Sequence, residues 1–504
     1  MEQFNVAVLN TPPYRCVSPG YCGVYLKSFI SSHTSAACRY VDLNAILFKK
    51  IRENAFHQSL VDFVLSKVWD PFKVTNGTIR INKQFKEIDE VISFSDERNN
   101  MRFLELISNE IRTLALNSQI LMLSIYSIEQ LLSAISISKT AKRYNASLKI
   151  LWGGSLISRF VSEFEKAYEL YSFVDVIAFG DGEITNVQYV NCCMNGNDSI
   201  SSIPGILFRD ETGIHKTELK FASSDIINAL PAVDYSDIIA RDYPSKKVLF
   251  PLMISRECYY KRCMFCDNYT AGADKGRFRT ADRVIADIKN ATQICGATYF
   301  RFIDDALPLN CARVLAQEIV NQKISISWGA NARCEKLLLN DSVVQLLKES
   351  GCKLLFLGLE SGSDYVLNLM NKGFTLDRSR SIIKKLHSAG IAVHASFLFG
   401  FPGERQSDVA ETCAFIMDNL AYLDVVEINF FTLTADSRIY GHLSNRKDIT
   451  AKETELFSPI VPFSYTDSDK QLSREYSYNA CCSMQRLIKA THKTPTLENI
   501  SRLY

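Results

Sequence analysis

The chain has 504 residues, 47% of them apolar and 22% charged, and 57 Lys and Arg against 55 Asp and Glu leave a formal charge of +2. At roughly 100–200 residues per domain this length predicts two to four domains, and the apolar share excludes a disordered chain. A balance so near neutrality supplies no global field to draw the protein onto nucleic acid or an anionic membrane, and neither partner is expected.

The N-terminus, Met1-Glu2-Gln3-Phe4, shows no basic segment leading into an apolar one, and no run reaches about 18 consecutive apolar residues. A cytoplasmic protein is therefore expected. Fifteen cysteines in a long chain of this kind do not read as a disulfide scaffold, so their positions matter more than their number.

In chain order, apolar runs at 6–9 and 40–43 flank a helix-compatible segment at 21–30, predicting strand, helix, strand. Thr11-Pro12-Pro13 ends the first strand, because proline supplies no ladder donor and biases its predecessor towards extended backbone. Residues 46–115 are mixed and charged, and Phe103, Leu104, Ile107 and Ile111 recur at helical spacing, predicting a mostly helical insertion. The alternation resumes with a strand at 120–124, a helix near 128–144, a strand at 148–152 running into Gly153-Gly154, and a strand at 174–179 running into Gly180-Asp181-Gly182-Glu183. This is a parallel α/β pattern, in which ligands sit at strand C-termini and small residues let them approach the backbone. Tight turns are the plainer explanation of the same glycines.

Residues 226–248, with Pro231 and Tyr243-Pro244-Ser245, read as an extended linker. A second alternation follows, with strands at 249–254, 299–303, 324–328, 353–357, 393–399 and 425–430 and helices near 282–294, 311–321, 341–350, 377–388 and 406–420. Val284, Ile288, Ala291 and Cys295 give the first of these helices one apolar face, and Gly351 and Gly390 stand where helices commonly end. Six strand–helix repeats predict a curved parallel sheet or partial barrel with its site at the strand C-termini. The expected domains are 1–225, a linker at 226–248, a barrel at 249–440 and a tail at 441–504.

Just past the first strand of the second alternation, Cys258, Cys263 and Cys266 fall within nine residues, interrupted by Lys261 and Arg262. Thiolates so spaced converge on one metal centre, and the two cations favour the ionised sulfurs. A structural zinc site needs a fourth ligand, and the next candidates, Cys295 and Cys311, are separated from the loop by a predicted helix. A [4Fe–4S] cluster with three protein ligands and one open iron fits better. Inert buried thiols are the duller alternative.

On this loop the chain resembles the radical S-adenosylmethionine (radical SAM) superfamily, and more closely its cobalamin-binding-domain branch. Phe265 holds the aromatic position before the third cysteine, while the first gap is four residues where the family usually has three; some peptide-modifying members have longer first gaps. The resemblance continues through Gly276-Arg277-Phe278-Arg279, Phe302-Ile303-Asp304-Asp305, Ala332-Arg333, Gly358-Leu359-Glu360-Ser361-Gly362-Ser363 and Phe397 to Glu404. It implies that an electron from the cluster cleaves SAM to methionine and a 5′-deoxyadenosyl radical, chemistry that belongs to the cofactor while the protein aims it. It also implies that Phe265 and the Gly400 segment lie along the adenine, Glu360 and Ser361 near the ribose or methionine end, and Asp304 and Asp305 in polar contact with SAM or substrate. Helix capping by Glu360 or Asp304, and pairing of Arg333 with one of them, are the simpler roles.

The first domain resembles the Rossmann-like cobalamin-binding domain of that branch at Leu9-Asn10-Thr11-Pro12-Pro13, Val41 to Asn44, Ser124-Ile125-Tyr126-Ser127, Gly153-Gly154-Ser155 and Gly180-Asp181-Gly182-Glu183. No Asp-x-His-x-x-Gly occurs, and His33 is misplaced for an axial ligand, so a bound cobalamin is expected to lack a protein histidine on its lower face. The fold class so implied is α/β: a cobalamin-binding-type domain followed by a partial (β/α)6 TIM-like radical SAM barrel.

With both cofactors the resemblance implies methylation of an unactivated carbon: one SAM methylates cob(I)alamin, a second yields the radical that removes a hydrogen, and the substrate radical takes the methyl group. A small-molecule or peptide substrate and an electron donor such as flavodoxin or ferredoxin follow. The alternatives are radical rearrangement or cyclisation without methyl transfer, and a zinc-knuckle binding protein. A methylthiotransferase fits less well, since Cys16, Cys22 and Cys38 do not match a second-cluster domain, and Cys481-Cys482 is no three-cysteine pattern. Substrate contacts are expected from 46–115 and from the tail, with Phe457, Phe463, Tyr465, Tyr476 and Tyr478.

Overall fold

The computed structural model describes residues 3–13, 18–54, 72–75, 78–81, 84–97, 102–196, 200–230, 232–243, 247–267, 276–444, 446–451, 456–458, 460–496, 499–500 and 502–504. Cys16, Pro231, Pro244, Ser245 and much of the expected insertion lie outside them. The chain divides into unit 1, Met1–Pro251 with Ala286–Ala297, and unit 2, Leu252–Ile285 with Thr298–Tyr504.

Unit 1 is built on a seven-stranded sheet. Its strands are β1 (Asn5–Asn10), β2 (Ala37–Asp42), β3 (Ile120–Ser124), β4 (Lys149–Gly153), β5 (Val176–Ala178), β6 (Ile206–Asp210) and β7 (Gly213–Lys216), in the order β2-β1-β3-β4-β5-β6-β7. The first five run parallel, joined through helices that include α1 (Tyr21–His33) and α2 (Ile128–Tyr144), with α3 (Gly182–Asn195) following β5. Helix α2 shows why the chain turns helical here: Ser127 caps Gln130 N, Glu129 stands in the first turn, and Lys142 and Arg143 meet the negative end of the helix dipole. Two strands, β6 and β7, were not expected; they close the sheet edge as an antiparallel hairpin. Val6, Val8, Ile120, Met122, Leu151 and Val176 fill one core against α3.

One expectation is extended in this unit and another corrected. Besides helices at Leu43–Asn54, Ile88–Asp96 and Ser108–Asn117, the insertion contains an antiparallel hairpin, Phe72–Thr75 with Thr78–Ile81. The residues read as helical, Phe103, Leu104, Ile107 and Ile111, are all buried. Nor is 226–248 an extended linker: Val233 and Tyr235 are fully buried, Val233 N donates to Asp287 Oδ1 (2.7 Å), Tyr235 Oη to the Pro251 carbonyl (2.6 Å), and Lys27 pairs with Asp234 and Asp237. Burying that much apolar surface holds the segment as core.

The second sheet, from Leu252 onward in unit 2, has six strands in chain order: β8 (Phe250–Leu252), β9 (Tyr299–Phe302), β10 (Ser327–Ala332), β11 (Cys352–Glu360), β12 (Ala392–Phe399) and β13 (Val425–Phe430). β9 to β13 pair parallel. The intervening helices include α4 (Ala281–Cys295), whose residues from Ala286 on belong to unit 1, α5 (Leu309–Asn321), α6 (Asp341–Glu349), α7 (Leu376–Ser388) and α8 (Gln406–Asn419). Val284, Ile288 and Ala291 form the buried face expected of α4. Leu355, Leu357 and Leu359 of β11 are buried on one face, leaving Phe356, Gly358 and Glu360 on the other, as period-two alternation requires. A long helix, α9 (Ser468–Ala490), packs on β12, β13 and α8.

Candidate functional site

Past β8 the chain pairs Ser255 and Arg256 with Phe278 and Arg277, and the three cysteines lie on the loop between. Glu257 opens it in the left-handed region (φ 66°), held by Arg277 Nη2 at 2.9 Å in a pair whose side chains are each only 8% exposed. Within the four-residue first gap Lys261 is also left-handed (φ 47°), and its ammonium folds back onto Glu257. The unusual gap is thus taken up by a local turn. Downstream, Met264 N donates to the Met370 carbonyl (3.0 Å), Ile439 N to the Met264 carbonyl (2.9 Å), and Met264 and Phe265 pack on Val366, Met370, Phe401 and Phe431.

Cys258, Cys263 and Cys266 are in no disulfide and are half-buried. Arg333, at the end of β10 and 8% exposed, donates from Nη1 to Cys263 Sγ (3.5 Å) and from Nη2 to the Lys372 carbonyl, with its guanidinium carbon 3.4 Å from the Tyr260 ring centroid. Elsewhere, burial pushes Cys38 and Cys481 up to about 12 and Cys334 up to about 11, so they are protonated packing groups. Among the described residues no three His, Cys, Asp or Glu side chains are drawn together at metal-holding distance. The donor set suits a soft metal centre, and its binding would be coupled to closing the loop.

Around the cysteines, Glu360 sits at a bulge at the end of β11 with φ 66°; its carboxylate meets Lys372 Nζ (3.2 Å) and Ser396 Oγ (3.4 Å). Lys372 Nζ stands 5.4 Å from the Phe265 ring centroid. Phe265, Arg333, Glu360 and the cysteine loop are therefore brought together. The structure also adds Tyr260 and Lys372, whose roles depend on tertiary placement, and, on the face of β12 and β13 that carries Ser396, His394 with Glu427, 3.4 Å apart. Burial lowers the His394 pKa, so the ring is neutral.

Two expected ligand groups are spent on the fold instead. Asp304, 2% exposed, accepts from Ile254 N (3.2 Å) and from Ser255 N and Oγ (2.6 Å to Oγ), fixing the entry to the cysteine loop. Burial raises its carboxyl to about 6. Ser361 Oγ faces Thr412 Oγ1 (3.1 Å) and accepts from Ser363 N (3.1 Å). Asp305, by contrast, is exposed.

Gly400 ends β12 with φ 80°, and a Cβ there would lie 2.3 Å from the Phe430 ring, so only glycine fits. Its N–H donates to Glu404 Oε2 (2.6 Å), which also accepts from Ser477 Oγ (2.8 Å). Burial raises the Glu404 carboxyl from 4.5 to about 7. Between those values the folded state keeps a proton that the unfolded chain has lost, so this group's stabilising contribution is full below the lower value and falls as pH rises through the upper one. Relative to Glu404→Gln, the unsubstituted protein should lose about 3 kcal/mol across that window. Thermal midpoints of the two proteins that run parallel from about pH 5 to about pH 8 would contradict this.

In unit 1 Asp42, Asn10, Ser124 and Gly153 lie side by side at the C-terminal edge of β2, β1, β3 and β4. Asn10 Nδ2 is held by Asp42 Oδ1 (3.0 Å). Beside this row Tyr126 is 64% exposed, and the buried Thr11 Oγ1 has no hydrogen-bond partner among the described residues. Not every expected residue faces a ligand. Gly154 (φ 114°) is required by its own chain, since a Cβ would lie 2.3 Å from the Ile125 carbonyl; Gly180 and Gly182 press on Leu219 and Leu26; and Glu183 is wholly buried. The row, with an orphaned hydroxyl and an open aromatic beside it, fits a large polar cofactor laid on the sheet edge.

Residues 252–416 match the family model described as the Radical SAM superfamily. Over 285 residues the chain is 27% identical to an uncharacterized methyltransferase, PH0819, of Pyrococcus horikoshii, covering 56% of this chain and 60% of that protein, so it spans less than two thirds of this relative's length. Two solved structures share the fold. One is the radical S-adenosylmethionine methyltransferase TsrM from Kitasatospora setae with cobalamin and [4Fe–4S] cluster bound (TM-score 0.64, 13% identity, 90% of this chain and 81% of that one). The other is the cobalamin-dependent S-adenosylmethionine radical enzyme OxsB with aqua-cobalamin and S-adenosylmethionine bound (TM-score 0.69, 14% identity, 100% and 70%).

Proposed function

We propose that the chain, with a radical SAM domain at residues 252–416 as its catalytic part, is a cobalamin-dependent radical SAM enzyme that methylates an unactivated carbon of a small-molecule or peptide substrate. The observation that carries this reading is the three-cysteine loop, inside the matched residues, with the Arg333 guanidinium on Cys263. On this reading unit 2 is a partial (β/α)6 TIM-like barrel and unit 1 a Rossmann-like cobalamin-binding-type domain, in keeping with the fold likeness to TsrM and OxsB.

Cys258, Cys263 and Cys266 would hold a [4Fe–4S] cluster, and the edge row of unit 1 with Thr11 and Tyr126 would hold cobalamin. When bound, the cluster and SAM supply a 5′-deoxyadenosyl radical and cobalamin supplies a transferable methyl group. The chain's own residues do the rest. Phe265 and the Gly400 turn shape an adenine surface; Glu360, paired with Lys372, offers a carboxylate to an ammonium; Arg333 sets its guanidinium against Cys263. Phe356, His394 and Glu427 line the Ser396 face of the sheet, where a substrate would be positioned and shielded from water. A flavodoxin- or ferredoxin-type protein would deliver the electron.

Reconstituted protein given SAM, reductant, cobalamin and its substrate should form 5′-deoxyadenosine and S-adenosylhomocysteine together, the latter only when cobalamin is present. Formation of 5′-deoxyadenosine alone with a turned-over substrate would replace methylation by rearrangement or cyclisation.

A further inference from the structure

The Gly400 peptide is gripped on both sides by side chains that lead to one element outside the matched residues. Its N–H is held by Glu404 Oε2 (2.6 Å), and that same oxygen accepts from Ser477 Oγ (2.8 Å) on α9. Its carbonyl accepts from Arg474 Nη1 (3.2 Å), one turn earlier on the same helix. The Arg474 guanidinium is itself fixed between two rings, 4.6 Å from the Phe430 centroid and 4.1 Å from that of Phe463. Phe430 in turn is the ring pressed against Gly400, and it meets Tyr478 of α9 edge-on (5.3 Å). Half-buried, Arg474 has its pKa lowered by desolvation, so its charge is held at a cost that the carbonyl and the two rings offset.

A surface arginine serving only to dock a helix has no need of this arrangement, because α9 has independent anchors. Its buried stripe of Ser477, Cys481, Met484 and Ile488 packs on the sheet, Gln485 Nε2 donates to the Ile428 carbonyl (2.8 Å), and Val426 N donates to the Lys493 carbonyl (2.8 Å). We infer that Arg474 and Ser477 are positioning residues for SAM: through the carbonyl and N–H of Gly400 they set the orientation of the turn against which the adenine rests. This rests on the proposed SAM role of the Gly400 turn. The tail is then part of the cofactor site, and the expectation that Phe463 and Tyr478 contact substrate gives way to a supporting role for both.

The test is calorimetric titration of SAM, without reductant, into anaerobically reconstituted protein. Arg474→Ala should bind SAM about tenfold more weakly with unchanged iron content, the size expected for losing one charge-assisted hydrogen bond, and Arg474→Lys should recover part of it. In turnover the same variants should raise KM for SAM with little change in kcat. Wild-type affinity in Arg474→Ala overturns the inference. If that variant loses its iron, Ser477→Ala decides: weaker SAM binding supports the inference and unchanged binding overturns it. Absence of SAM binding by the unsubstituted, iron-loaded protein would instead overturn the radical SAM reading on which the inference rests.

Discussion

Changing Cys258, Cys263 and Cys266 together to alanine should abolish iron binding, where the unsubstituted protein reconstituted without oxygen should hold about four irons per chain. The fold should survive the change, because the loop is tied down by groups other than sulfur. Met264 is held through both its N–H and its carbonyl, Tyr260 Oη donates to the Asn371 carbonyl (2.8 Å), and Glu257 is paired with Arg277. Far-ultraviolet circular dichroism should therefore be unchanged while the visible charge-transfer absorption disappears. Each single change should be nearly as severe, since a cluster with two thiolates lacks the coordination that holds it. Iron retained at wild-type level in the triple variant would place the metal elsewhere.

Arg333→Met should give the second-largest effect. The side chain is nearly isosteric in length, so the contact with the Tyr260 ring is kept in part, but the charge on Cys263 and the hydrogen bond to the Lys372 carbonyl are lost. A hydrogen bond to a charged group contributes about 1.5–3 kcal/mol, so iron should be retained about 10–100-fold less well against a competing chelator. Arg333→Lys should fall between the two, because an ammonium supplies charge without the planar fork that reaches both acceptors. Equal iron retention in all three proteins would show that Arg333 only packs.

The strands of the second sheet were legible where apolar residues run together, as in Leu354 to Leu357 and Val393 to Phe399. They were misplaced where small residues do the pairing: β10 is Ser-Trp-Gly-Ala-Asn-Ala and lies several residues later than the apolar run that suggested it. Helix α9 was missed for a related reason. Its buried positions are Ser477, Cys481, Met484 and Ile488, correctly spaced for a helix but too weakly apolar to show as a stripe. The hairpin β6–β7 did carry a signal, turn residues Asp210-Glu211-Thr212-Gly213 between two strand-like runs.

Among the candidate site residues, the cysteines stand out by their local spacing, and Glu360, Arg333 and Phe265 by the motifs that carry the family resemblance. Asp304 and Ser361 show the limit of that reading. A polar residue at a strand end has the right identity for a ligand, yet its orientation is set by the nearest unsatisfied backbone group, here Ile254 N, Ser255 N and Ser363 N. Tyr260, Lys372, Arg474 and Ser477 had no local signal, because each matters only through a partner brought close by the fold.

Electron paramagnetic resonance of the reconstituted protein, reduced by dithionite and then given SAM, tests the central claim most directly. A [4Fe–4S] centre with one iron open to SAM predicts a reduced-cluster signal whose shape changes on addition of SAM. Bound zinc with no such signal, or a cluster signal indifferent to SAM, would contradict it.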